Sequence, residues 1–284
     1  MIREAKQLFK GISWRDPFIS FILHSLDPFD RIVRKRRQLS HLPIYSTRVR
    51  SNGVANQFGG YRFVSEGQYL KKLLERFAKL APDSDVLEIG CGCGRVPVAL
   101  AETLQDGSYT GVDIDETSLL ACQQNALFND KPFRFDLITV YNEVYNPDGE
   151  GSAEFYQFPF SQEQFDLIFL FSVFTHMLPA GVANYIKEIS GMLRQGGRCL
   201  FSCFLMDYGY EGQVISFPYR YDDYCLYLNS LPEKAVGYYL DFLDEQFALN
   251  NMKRVEPPLI GPWRLSTSVK PTIQFAQDIL VYSK

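Results

Sequence analysis

The chain has 284 residues, 46% hydrophobic and 22% charged, with a formal net charge of −4. That length allows one large α/β domain or two small ones and a core that needs no staples, and an acidic total argues against a nucleic-acid partner, which usually needs a basic face. With no C-x-x-C pair among its 6 cysteines (Cys91, Cys93, Cys122, Cys199, Cys203, Cys225) and only 3 histidines, no metal site is expected, and the cysteines read as core fillers in a reducing, cytoplasmic setting.

Met1 to Lys10 is charged and lacks an apolar core, so no secretory leader is expected. No apolar run is long enough to span a bilayer. Residues 15–40 predict one or two helices, with Phe18, Ile19, Phe21, Ile22 and Leu23 as an apolar face and Pro17 and Pro28 as punctuation. The reading preferred for them is a cap packed on the main domain. The rival is a helix in peripheral contact with a membrane, because the basic run Arg34-Lys35-Arg36-Arg37 follows. Residues 41–62 hold Pro43, Gly53, Gly59 and Gly60 among polar residues and predict a loop. Tyr69, Leu70, Leu73, Leu74, Phe77 and Leu80 then recur at helical spacing, until Pro82-Asp83.

From here strands and helices alternate. Strands are predicted at 86–89, 109–114, 133–140, 165–171 and 198–205, with helices at 97–104, 116–128 and 180–193, the last ended by Gly196-Gly197. A polar insertion fills about 141–164. Residues 207–233 break the rhythm with Tyr208, Tyr210, Tyr219, Tyr221, Tyr224 and Tyr227, which read equally as an acceptor pocket or as the packed underside of a lid. A helix at 235–249 and strands at 254–260 and 272–282 complete the chain. Fully apolar strands between helices predict a parallel sheet covered on both faces. The expected division is a helical cap and loop at 1–60 and a main α/β domain at 61–284, with 207–233 an insertion expected to cover a ligand site.

The segment Asp85-Val-Leu-Glu-Ile-Gly-Cys-Gly-Cys-Gly-Arg95 leaves a strand and opens a helix. Glycines at such a turn let a ligand approach the backbone, and the helix amides beside them favour anionic groups. A dinucleotide fingerprint, G-x-G-x-x-G, needs its third glycine where Arg95 stands. The glycines here are Gly90, Gly92 and Gly94, preceded by Glu88. Acid-x-Gly-x-Gly-x-Gly closely resembles the pattern of class I S-adenosylmethionine-dependent methyltransferases. Tyr109-Thr-Gly-Val-Asp-Ile114 supplies an acid, Asp113, at the tip of the second strand, where a carboxylate can accept both ribose hydroxyls of an adenosyl group. NAD enzymes place an acid similarly, so the glycine spacing makes the choice. The resemblance extends through Phe165-Asp-Leu-Ile-Phe-Leu-Phe-Ser-Val-Phe-Thr-His176 and Leu193-Arg-Gln-Gly-Gly-Arg-Cys-Leu200, and covers roughly 60–284.

This resemblance implies a Rossmann-like α/β sheet of seven strands, the last antiparallel, flanked by helices, with S-adenosylmethionine as cofactor and S-adenosylhomocysteine as product. It implies that Glu88 lies near the methionine amino group with the backbone of Gly90, Cys91, Gly92 and Gly94. Asp113 would hold the ribose, Ile114 would pack on the adenine, and Phe171 and Ser172 would line the cleft beneath the sulfonium. Related chains often carry an aspartate just after the third strand; here Thr139, before Val140, stands there, so Thr139, Asn142 or backbone groups would serve the adenine amino group.

Methyl transfer is an in-line displacement, and much of its catalysis comes from holding the acceptor close and aligned. His176 is the candidate base, set against a reading as a structural residue at a helix start. Ser172-Val-Phe replaces the Asn/Asp-Pro-Pro-Tyr/Phe motif of the amino methylases of nucleic acids and of glutamine methylases, and no Pro-Cys pair suggests cytosine-carbon methylation. A small-molecule, lipid or sugar-containing acceptor remains. The alternative is an inactive cofactor-binding or interaction protein of the same fold.

Overall fold

The apolar runs of the sequence become strands that pair side by side. In this computed structural model, residues 16–53, 57–208, 215–264 and 270–284 are described. Met1 to Lys10, the first residue of the expected 15–40 helix and Tyr210 lie outside them. The strands are β1 (Val86–Ile89), β2 (Tyr109–Asp113), β3 (Phe133–Leu137), β4 (Phe165–Leu170), β5 (Leu193–Cys203), β6 (Tyr219–Arg220), β7 (Tyr224–Leu226), β8 (Val236–Tyr238), β9 (Lys253–Arg254) and β10 (Asp278–Ser283). The helices are α1 (Pro17–Arg36), α2 (Tyr45–Asn52), α3 (Tyr61–Phe77), α4 (Arg95–Leu100), α5 (Glu116–Gln123), α6 (Pro179–Met192) and α7 (Leu240–Leu249).

Seven strands form one sheet in the order β3-β2-β1-β4-β5-β10-β9. The first five run parallel, and β10 runs antiparallel to β5. This is the expected Rossmann-like α/β arrangement. Successive residues of a strand point to opposite faces, which sorts the core into two layers. Leu87, Ile89, Ile168 and Leu170 join Val182 and Ile186 of α6 and Phe247 of α7 on one side. Val86, Leu167 and Phe169 join Leu70 and Leu74 of α3 and Val96 of α4 on the other. Each such buried side chain stabilises the fold by about 1.5–3 kcal/mol.

The N-terminal cap is held differently. Asp30 is wholly buried and accepts hydrogen bonds from Arg34 Nε at 2.7 Å, Arg48 Nη2 at 2.7 Å and the Gly59 amide at 2.7 Å. The apolar face expected to pack inward mostly does not. Leu23 is buried and Ile19 half-buried, while Phe18, Phe21 and Ile22 face outward.

Three local expectations are corrected. The 41–62 loop contains α2, whose N-cap residue Ile44 has no side chain able to cap; instead Asp27 of α1 accepts from Ser46 N and Ser46 Oγ, both at 2.8 Å. That fills the role of a local cap. The helix at 180–193 ends at Met192 and passes directly into β5. Gly196-Gly197 instead sits where pairing with β4 slips, from Phe165 opposite Leu193 to Leu167 opposite Arg198. Finally, the helix expected from Ala235 begins with a strand, because Val236–Tyr238 pairs with β7. β6, β7 and β8 form a small separate sheet.

Candidate active site

β1 ends at Ile89, and the chain turns through the glycine loop into α4. Gly90, Gly92 and Gly94 have φ of +81°, +53° and +87°, a left-handed region that L side chains with a Cβ rarely adopt. Gly90 is doubly constrained, since a Cβ there would sit 2.4 Å from Val173 Cγ2 in the loop after β4. Gly94 packs behind the loop against Cys122 Sγ and reaches neither cavity described below.

Asp113 closes β2 and clamps this loop. Its Oδ2 accepts from the Gly92 amide at 2.6 Å and its Oδ1 from the Asp115 amide at 2.8 Å. Burial pushes its pKa up to about 6, although those amides pull the other way. Two amide bonds leave the carboxylate with lone pairs to spare. Glu88, on the neighbouring strand β1, accepts from the Tyr109 hydroxyl. Burial pushes it up to about 8, so it holds a proton at neutral pH.

Two cavities meet at the glycine loop. The smaller, of about 150 Å³, is lined by Ile89, Asp113, Ile114, Ile138, Val140 and Asn142. The larger, of about 740 Å³, is lined by Glu88, Cys91, Arg95, Tyr69, Phe275 and Gln277. Gly90, Gly92, Phe171, Ser172, Tyr145 and His176 line both. Thr139 lies apart from these, in an adjoining groove, and its carbonyl accepts from the Gly151 amide at 2.9 Å. Ile138 lines the small cavity where the sequence pointed to Thr139.

The loop after β4 carries strain and charge control together. Ser172 adopts φ +62°, an uncommon conformation for a residue with a side chain. It is fixed by Ser172 N donating to Ser202 Oγ at 2.8 Å and Ser172 Oγ donating to Gln277 Oε1 at 3.0 Å. His176 ends a short 3-10 turn (Phe174–His176). Its Nδ1 lies 3.0 Å from the Glu233 carbonyl, so Nδ1 carries the proton and donates. Nε2 is left as an acceptor 3.4 Å from the Tyr145 hydroxyl. Burial lowers the His176 pKa to about 4, which keeps the ring neutral.

The cap contributes as well. Arg50 of α2 donates from Nε to Asp115 Oδ2 at 2.7 Å, and Ser51 Oγ lies 2.6 Å from Ser118 Oγ. Both Arg50 and Ser51 line the two cavities. Sequence reading passed over them because 41–62 looked like a loop. Of the segment at 207–233, Glu233 reaches the small cavity, with its neighbour Lys234 in the large one. Tyr208, Tyr219, Tyr221, Tyr224 and Tyr227 line neither; Tyr221 and Tyr224 stack on each other with ring centroids 4.6 Å apart.

The strand order, the glycine loop and Asp113 coincide with a match of residues 87–199 to the methyltransferase-domain family. Residues 87–199 are thus similar to a methyltransferase domain. Among curated relatives, it is similar to the phthiotriol/phenolphthiotriol dimycocerosates methyltransferase 1 of Mycobacterium ulcerans, with 29% identity over 117 residues. That match spans 41% of this chain and 36% of the relative's length. Among solved structures, a protein from Pyrococcus horikoshii aligns with a TM-score of 0.54 at 17% identity, over 81% of this chain and 92% of that one. An S-adenosylmethionine-dependent methyltransferase from Mesorhizobium loti aligns with a TM-score of 0.51 at 13% identity, over 78% of this chain and 100% of that one. These structural likenesses show the shared fold.

Proposed function

We propose that this chain moves a methyl group from S-adenosylmethionine to a small-molecule, lipid or sugar-containing acceptor held in the larger cavity, leaving S-adenosylhomocysteine. The observation that carries this reading is the meeting of the two cavities at Gly90, Gly92, Phe171 and Ser172. One is a narrow slot with an acid at its edge; the other is wide enough for a second molecule.

The residues present suit the cofactor. Ile114, Ile138 and Val140 give a base apolar surfaces, Asp113 has lone pairs left for ribose hydroxyls, and the glycine loop keeps backbone amides close. Glu88 suits the methionine ammonium, whose charge would favour the ionised carboxylate. When bound, S-adenosylmethionine supplies a methyl group already activated on a sulfonium. The task left to the protein is to hold the acceptor close and aligned. His176, with its proton fixed on Nδ1, offers Nε2 to take a proton from a hydroxyl acceptor directly or through Tyr145. The mycobacterial relative is named for a dimycocerosate acceptor, and for that reason we place a lipid first among acceptors.

The test incubates the protein with methyl-labelled S-adenosylmethionine and fractionated lipid and small-molecule extracts. Label is expected in one fraction. His176→Gln should lower that rate by about 10²–10⁴-fold with cofactor affinity unchanged. Cofactor binding with no labelled product in any fraction would favour the inactive, cofactor-binding alternative.

A further inference from the structure

A surface helix ordinarily turns its apolar stripe to the core. α1 does the reverse. Its inward side carries Leu23, Asp30 and Arg34, all buried, together with Asp27, which holds α2 through Ser46. Its outward side carries Phe18, Phe21, Ile22, Phe29 and Ile32, at positions i, i+3, i+4, i+11 and i+14, which is one helical stripe. Phe18 is 69% exposed, Phe21 72%, Phe29 62% and Ile32 54%. The ion pairs of Asp30 with Arg34 and Arg48 fix which side faces in, so the outward stripe is imposed by the fold.

Charge indicates what covers it. Arg31, Lys35 and Arg36 are exposed on the C-terminal half of the same helix. Its N-cap, Asp16, is the one exposed acid among the described residues of α1 and its caps. A twofold pairing of two such helices, run antiparallel, would lay the cations of one along the Phe18–Phe21 end of the other, where only Asp16 could answer them. A surface of lipid phosphates over acyl chains matches both the cations and the aromatics. The helix also borders the larger cavity, through Ile19 and Leu23. Among the described residues no helix, α1 included, is long and apolar enough to cross a membrane.

We propose that α1 lies flat on an anionic bilayer, with Phe18, Phe21, Ile22, Phe29 and Ile32 in the headgroup–acyl boundary and Arg31, Lys35 and Arg36 on lipid phosphates, so that the larger cavity opens beside that surface. Docking is separable from the chemistry proposed above, because vesicle binding needs neither cofactor nor turnover.

The test sediments the full chain with vesicles of phosphatidylcholine alone and of phosphatidylcholine mixed with phosphatidylglycerol. Pelleting is expected with the anionic vesicles and is expected to weaken as salt is added. Lys35→Glu with Arg36→Glu should lower the apparent affinity by about thirtyfold or more. Phe18→Ser, Phe21→Ser and Phe29→Ser together should abolish binding. Both variants should keep the wild-type thermal midpoint, because these side chains face solvent. No pelleting of the wild type, equal pelleting with neutral vesicles, or pelleting that neither variant alters would each overturn the proposal. Sedimentation equilibrium of the vesicle-free protein reads the other occupant: a dimer dissolved by the phenylalanine substitutions would assign the stripe to a second copy and overturn it as well.

Discussion

The sheet and the N-terminal cap bury their side chains by opposite rules. In the sheet, Ile168, Phe169 and Leu170 are fully buried hydrocarbon, and the polar groups of the strands are spent on neighbouring strands. In the cap, the fully buried side chains include Asp30 and Arg48, while phenylalanines of α1 stand in solvent. Hydrocarbon packing needs no specific charged partner, whereas a buried charge is tolerable only while its partner remains. The cap is therefore oriented by a few specific bonds and has its apolar surface free for something else.

The sharpest way to break this contrast is Asp30→Ala. It leaves Arg34 and Arg48 buried without their counter-charge and should cost about 3–5 kcal/mol, read as a lower denaturant midpoint. Replacing Asp30, Arg34 and Arg48 together by apolar residues of similar volume should cost less than the single change, because no lone charge is then stranded. An Asp30→Ala variant of wild-type stability would show that the cap is held by its apolar contacts after all.

A smaller effect sharpens the sheet side. Glu88 is a buried carboxyl on β1, with its pKa moved from 4.5 to about 8. The native state keeps a proton that the unfolded chain releases. Stability from this group is thus fully present below about 4.5 and is lost as pH rises through about 8. Between pH 6 and pH 8 the wild type should lose up to about 2 kcal/mol, and Glu88→Gln should lose much less over the same interval. Parallel pH profiles for the two proteins would contradict the buried, protonated carboxyl.

The smallest expected effect is Phe29→Ser on the outward face of α1. Its change in folding stability should stay within about 0.5 kcal/mol, against about 3–5 kcal/mol for Phe169→Ala in the sheet. A loss for Phe29→Ser near that of Phe169→Ala would mean that the stripe packs inside the fold.

The same contrast separates what could be read in the sequence from what could not. β1, β2 and β4 were legible because apolar runs bounded by turns carry their own signal, and the glycine loop because positive φ at alternate positions demands glycine. Their placement beside Asp113, Phe171 and Ser172 followed from strand order. α2 was illegible because its cap, Asp27, comes from another helix. Gly196-Gly197 misled because a glycine pair serves a bulge as readily as a helix end. Ile138 was overlooked in favour of Thr139 because the strand ends before them, at Leu137, and alternation no longer decides which way they face. Arg50, Ser51 and Tyr145 entered the site through contacts that span the chain, which no local pattern encodes. The outward turn of Phe18 and Phe21 was hidden for the same reason: apolar periodicity shows that a stripe exists, and only the buried Asp30 cluster shows where it points.

The central claim, that the slot beside Asp113 holds an adenosyl sulfonium cofactor, is met most directly by calorimetric titration of S-adenosylmethionine, S-adenosylhomocysteine and NAD into the wild type and Asp113→Ala. Both adenosyl ligands should bind and NAD should not. Asp113→Ala should lose about 2–4 kcal/mol, or about 30- to 1000-fold in affinity. Wild-type affinity should rise with pH through about 6 as Asp113 ionises. A folded wild type that binds neither adenosyl ligand, or a folded Asp113→Ala that binds them unchanged, would contradict the account.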